Sequence, residues 1–139
     1  MSNKCEVCEF KNPKATVTMA LIMNGKLLMV QRNEEPFKDK WDLVGGYMQD
    51  GESTYEAAQR EFKEETGLDG RFTFVDAFPG VASWRGKEYP ILSNLFLVEL
   101  IDPQQKIILD GENKNYDFFP FFRKNTFFAA SCANVTHLF

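Results

Sequence analysis

The chain has 139 residues, 44% hydrophobic, 26% charged and 14% aromatic, with a formal charge of −4. That is the length of one ordinary domain able to bury its own core, and the aromatic content excludes a disordered tail. Glycine and proline without a period exclude a collagen-like chain, no apolar run reaches the roughly 18 residues of a membrane span, and the acidic balance argues against a general nucleic-acid binder.

Met1–Asn3 leads straight into charged residues, so no secretory leader is expected and the setting is read as the reducing cytoplasm. Residues 1–13 form a polar arm, and 14–139 are expected to be a single domain. Cys5 and Cys8 make a C-x2-C, half of a zinc ribbon. Structural zinc needs four protein ligands. Cys132 stands alone and His137 is the only histidine, so the ligand count is against zinc at Cys5 and Cys8. Two reduced thiols on an arm are the plainer expectation.

Ala15–Met23 reads as a mostly buried strand. Asn24-Gly25 follows, a hairpin signal because both positions accept positive φ, and Lys26–Gln31 returns as the second strand. Asn33–Lys40 is polar and holds Pro36, which makes it a loop. Trp41–Val44 is a short strand expected to end at Gly45-Gly46. Ser53 to Thr66 is the clearest helix, with Ser53 and Glu56 fitting a capping box and Gly67 the C-terminal cap. Arg71–Ala77 and Ile91–Leu100 read as strands joined by a longer loop holding Pro79, Gly80, Trp84 and Gly86, and Lys106–Leu109 as a further short strand. Tyr116–Phe122 is a strand interrupted by Pro120, whose alternation can bury only half of Phe118, Phe119, Phe121 and Phe122. The remaining rings, with Phe127 and Phe128, leave a homodimer interface or a pocket lining open. Asn125 caps a closing helix from Thr126 to about Leu138. Strands outnumber helices, which predicts an α+β or mixed layer fold rather than a doubly wound one.

On the predicted helix each residue turns about 100°, so Glu64 and Glu65 fall about 60° and 40° to either side of Glu61. Three carboxylates therefore share a stripe beside Ala57, Ala58 and Phe62, while Glu56, Gln59 and Lys63 face solvent. Like charges at this spacing destabilise a helix unless something compensates them. A solvated acidic face is one reading. A site for hard divalent cations is the other, and Gly45-Gly46, which bring bare backbone close to the helix, favour it.

Gly46, five residues, Glu52, seven residues, then Arg60-Glu61-Phe62-Lys63-Glu64-Glu65-Thr66-Gly67-Leu68 resembles the Nudix box, with every fixed position filled. Phe62 stands where that family usually has an aliphatic residue, and it is still apolar. The resemblance implies an α/β/α sandwich around a mixed β-sheet. It implies hydrolysis of a nucleoside diphosphate linked to another group, with Mg2+ or Mn2+ and an attacking water. Glu61, Glu64 and Glu65 are then the metal ligands, with the carbonyl of Gly45 adding an oxygen, and Glu61 is a candidate general base. Arg60 and Glu52 would pair and orient the site. A later acid often adds a ligand or base in this family, and Glu112 and Asp117 are the candidates. Arg32 is placed to reach a phosphate. Trp84, Arg85 and Tyr89 lie where base recognition is often built. Members acting on ADP-ribose or NADH are the nearest in kind, although Phe78–Phe96 does not match the NADH-pyrophosphatase signature. The substrate expected is ADP-ribose or a related dinucleotide; sanitation of modified nucleoside triphosphates and a silent nucleotide-binding module are the alternatives. A membrane partner is not expected.

Overall fold

The computed structural model describes residues 4–120. β1 (Lys14–Met23) turns at Asn24-Gly25 into β2 (Lys26–Arg32). Both turn residues have positive φ, 53° and 73°, which matches the twist of a two-residue hairpin. β3 (Trp41–Asp42) and β4 (Val44–Tyr47) follow, then α1 (Thr54–Thr66), β5 (Gly70–Trp84), β6 (Lys87–Leu100) and β7 (Asn113–Pro120).

The strands form one mixed sheet in the order β3-β2-β1-β6-β5, with β4 also paired to β1 and β7 to β2. β1 and β6 run parallel from Lys14↔Ile91 to Leu21↔Val98, and the other pairs are antiparallel. This is the α+β class that the sequence predicts, with α1 on one face. The outer helix expected from Thr126 lies outside the described residues, as do Phe121, Phe122, Phe127 and Phe128.

Period-2 alternation divides the core. Val17, Met19 and Leu21 of β1 join Leu28, Val30, Val44, Phe96 and Val98 beneath Ala57, Ala58 and Phe62 of α1. Ala20 faces the other way, with Leu27, Met29, Leu43 and Leu95. On β7, Phe118 packs on the first cluster and Phe119 on the second. Both rings are therefore half-buried, because the sheet is covered by apolar groups on each side at this point.

Three local expectations are corrected. Gly45 and Gly46 do not end a strand; they lie inside β4, paired with Thr18 and Val17. The loop expected around Pro79 and Gly80 is continuous ladder, with Pro79 opposite Leu92 and Gly80 opposite Ile91. β5 is an edge strand, where a proline without an N–H is tolerated. Lys106–Leu109 is not a strand. Ile107 and Leu109 do pack on the core while Ile108 is exposed, but the Ile108 N–H donates to the Thr66 carbonyl at 2.8 Å. The alternation is real, and the end of α1 takes the hydrogen bond that a neighbouring strand would need.

Candidate active site

The chemistry-bearing residues gather where α1 meets β4 and the segment entering β7. The Ser53 hydroxyl accepts from the Glu56 N–H at 3.1 Å, and Gly67, at φ 74°, closes the helix by donating to the Lys63 carbonyl. Ala57, Ala58, Phe62, Glu65 and Thr66 form the buried face. The acidic stripe sits at its edge: Glu65 is only 6% exposed, Glu61 is half-buried, and the Glu64 side chain is 53% exposed.

Glu65 is the deepest carboxylate. Its Oε2 accepts from the Gly45 N–H at 2.9 Å, and its Oε1 from Asn113 Nδ2 at 3.3 Å. Burial pushes its carboxyl well above the usual range, and the charges of Glu61 and Asp110 add to the rise. Glu61 is raised as well, by burial first. Its carboxylate lies directly on Gly46, where an added Cβ would stand 2.4 Å from Glu61 Cδ. No other residue type fits there without moving Glu61.

Arg60 ties the near side together. Its guanidinium grips both oxygens of Glu52, with Nη2 to Oε2 at 3.0 Å. Nη2 also donates to the Tyr47 carbonyl, while Nη1 donates to Glu61 at 2.8 Å and Glu64 at 3.2 Å. The hydrogen bonds from Arg60 hold Glu52 below the ordinary carboxylate range. One cation thus links the two neighbouring glutamates to the loop ahead of the helix.

Glu112 comes to the same place. One carboxylate oxygen each from Glu65, Asp110 and Glu112 lie within 4.8 Å of one another. Burial raises Glu112, and the charge of Asp110 raises it further. Asp110 and Asn113 are absent from the sequence reading, since neither carries a spacing signal. Asp117 is not in the cluster; it sits exposed on β7 opposite Met29.

A cavity of about 1220 Å³ opens from this edge. Gly45, Gly46, Glu65, Asn113 and Arg32 line one part, and Trp84, Arg85 and Tyr89 line another. Arg32 Nε is anchored on the Pro36 carbonyl at 2.7 Å. The last three stand at the tip of the β5–β6 hairpin rather than on a loop, with Arg85 over the Trp84 ring at 5.4 Å. The Tyr89 hydroxyl is hydrogen-bonded to that of Tyr47, which spans the cavity wall. The structure therefore brings together Arg32, Gly45, Glu65, Trp84, Arg85 and Tyr89 in one cavity, with Glu52, Arg60, Glu61, Glu64 and Glu112 grouped beside its carboxylate end.

The chain is 32% identical over 109 residues to an ADP-ribose pyrophosphatase of Methanocaldococcus jannaschii, covering 77% of this chain and 63% of that protein. It is 32% identical over 90 residues to the dihydroneopterin triphosphate diphosphatase of Escherichia coli, covering 62% of this chain and 55% of that protein. The chain thus spans less than two thirds of either relative. A crystal structure of a MutT NUDIX hydrolase from Burkholderia pseudomallei superposes with a TM-score of 0.78 at 17% identity, over 91% of this chain and 97% of that one. Residues 13–122 match the NUDIX domain, and the chain belongs to that family.

Proposed function

We propose that this chain hydrolyses the pyrophosphate linkage of a nucleoside diphosphate derivative, ADP-ribose or a related dinucleotide, with Mg2+ or Mn2+. The observation that carries the reading is a cavity with a carboxylate end and an aromatic, cationic end. A ligand with a diphosphate between a base and a second polar group has that polarity.

The donor set fits a hard divalent cation: Glu61, Glu64, Glu65 and Glu112 offer only oxygen. The Gly45 carbonyl fits too. Gly45 lies opposite Thr18 in an antiparallel pair, and its N–H is spent on Glu65. In such a pair the N–H and C=O leave by the same edge, so the carbonyl opens toward Glu65. A bound divalent ion neutralises phosphate charge and acidifies a coordinated water.

The remaining work falls to the chain. Glu65 is oriented by Gly45 and Asn113, which fixes its oxygens before any ligand arrives. Arg60 and Glu52 hold Glu61 and Glu64 against their mutual repulsion. Glu61, raised by burial, is suited to take a proton from an attacking water, and Glu112 is the second candidate for that base. Arg32 supplies a positive group to the phosphates, and Trp84, Arg85 and Tyr89 receive the base or distal sugar.

Similarity to a triphosphate diphosphatase supports a second reading, removal of diphosphate from a modified nucleoside triphosphate. Incubation with Mg2+ and a panel of ADP-ribose, NADH, dinucleoside polyphosphates and normal and oxidised nucleoside triphosphates separates them. AMP and ribose phosphate from ADP-ribose, identified by mass, is the expected result. Monophosphate from the triphosphates alone would move the assignment to the second reading. No Mg2+-dependent product from any of them would count against both substrates and leave either a substrate outside the panel or a binding module.

A further inference from the structure

Glu112 reaches the carboxylate cluster from the bend ahead of β7, not from a helix or a strand. One of its oxygens lies within 4.8 Å of one from Glu65 and one from Asp110. Like charges this close repel one another, so the bend must be held for the cluster to persist. Gly111 stands between the two acids at φ 98°, a left-handed conformation open to glycine. Asp110 Oδ1 accepts from the Glu112 N–H at 3.1 Å, which closes the bend from within. Asn33 grips it from outside. The Asn33 N–H donates to the Glu112 carbonyl at 2.9 Å, and Asn33 Nδ2 donates to the Gly111 carbonyl at 3.1 Å. Both backbone polar groups of Glu112 are thus fixed, one by Asp110 and one by Asn33.

Asn33 is anchored in its turn. The β2–β7 ladder shifts register between Gln31 and Arg32 and ends at Arg32↔Asn113, where Asn113 donates to Glu65. Beyond that pair Asn33 carries the contact onward. The Arg32 N–H donates to the Lys40 carbonyl at 2.9 Å, and the Arg32 carbonyl accepts from the Asp39 N–H at 3.0 Å, which closes the loop that follows Asn33. Asn33 is exposed, so it supplies hydrogen bonds to the bend and not core packing. We propose that Asn33 is a positioning residue of the active site, presenting Glu112, the metal ligand or base of the proposed reaction, to Glu65. Without the Nδ2 bond, fewer contacts oppose the repulsion from Glu65 and Asp110, and Glu112 turns outward.

Asn33→Ala removes the Nδ2 donor and keeps the backbone N–H. In the full chain it is compared with Glu112→Gln and with the two changes combined. Mn2+ binding to the metal-free protein is read from the paramagnetic resonance of free Mn2+. The kcat and KM are read with Mg2+ on whichever nucleotide the parent turns over. Glu112→Gln is expected to lower Mn2+ affinity, kcat or both. Asn33→Ala should lower the same quantity by about 10-fold, as the loss of a group that orients a metal ligand does, with KM and the melting midpoint near the parent's. The combined variant should be no worse than Glu112→Gln alone, since Asn33 then has no carboxylate to place. Losses that add in the combined variant, a parent-like Asn33→Ala, a change in KM alone, or a parent-like Glu112→Gln would overturn the proposal. A parent that turns over no nucleotide would count against the proposed reaction instead. Equal Mn2+ affinity in the parent and Asn33→Ala would then overturn the role of Asn33 by itself.

Discussion

Glu65 concentrates the conflict that the site contains. Its carboxyl is almost fully buried and titrates well above the ordinary range, because burial and the neighbouring acids penalise its charge. A carboxyl whose folded pKa exceeds its unfolded one stabilises the fold only while protonated. That contribution is complete below the unfolded value and is lost as pH rises through the folded one. The metal-free protein is therefore expected to lose stability from the ordinary carboxylate range upward, toward the raised value of Glu65. Glu65→Gln removes the titration and keeps the contacts: the Gln oxygen accepts from Gly45, and its amide donates to Asn113 once that side chain is turned over. Melting in chelator across pH should show a higher midpoint for Glu65→Gln, with a gap that widens as pH rises. The same variant should lose about 10²–10³-fold or more in Mg2+-dependent turnover, since an oxygen ligand becomes a neutral amide. A midpoint that falls together with activity would mean that Glu65 is a structural residue only.

At the scale of elements, the site is the seam between β4 and α1, and the two glycines in it have different tasks. A Cβ on Gly45 would stand 2.4 Å from the Val17 carbonyl oxygen, a backbone atom in the neighbouring strand. A Cβ on Gly46 would meet the Glu61 carboxylate, the far end of a side chain. Gly45→Ala is thus expected to lower the melting midpoint by forcing β4 from β1. Gly46→Ala should leave the midpoint nearly unchanged while cutting metal-dependent turnover, because Glu61 is displaced from its place beside Arg60. Paired melting and activity measurements check this, and equal loss of stability in both variants would refute the distinction. Local signals made α1 and its caps legible, since capping, periodicity and the Glu spacing all lie within one continuous stretch. The same holds for the Asn24-Gly25 hairpin. The long β5–β6 ladder was not legible because Pro79 and Gly80 carry the chemistry of a loop, and only an edge position makes them acceptable. Asp110 and Asn113 reach Glu65 across a large sequence separation, which no local pattern reports.

In the whole molecule the sheet holds the two ends of the cavity apart. The carboxylate end rests on α1 and β4, while the aromatic end rides on the tip of the β5–β6 hairpin. The tip reaches the cavity on two long paired strands, Gly70–Trp84 and Lys87–Leu100, whose register shifts once between Phe74 and Asp76. Recognition and chemistry are therefore expected to separate under mutation. Trp84 is 53% exposed, so Trp84→Ala removes little core packing and should leave the melting midpoint in place. Base stacking on an aromatic ring contributes about 1–3 kcal/mol, so its loss corresponds to a rise in KM of about 5–150-fold. The carboxylate end is untouched by this change, so kcat at saturating substrate should remain near that of the parent. Glu65→Gln should do the reverse, lowering kcat most. Steady-state kinetics on whichever nucleotide the panel identifies will show the pattern. An unchanged KM in Trp84→Ala would move base recognition away from the hairpin tip. A fall in kcat instead would mean that the tip also sets the position of the diphosphate against the carboxylates.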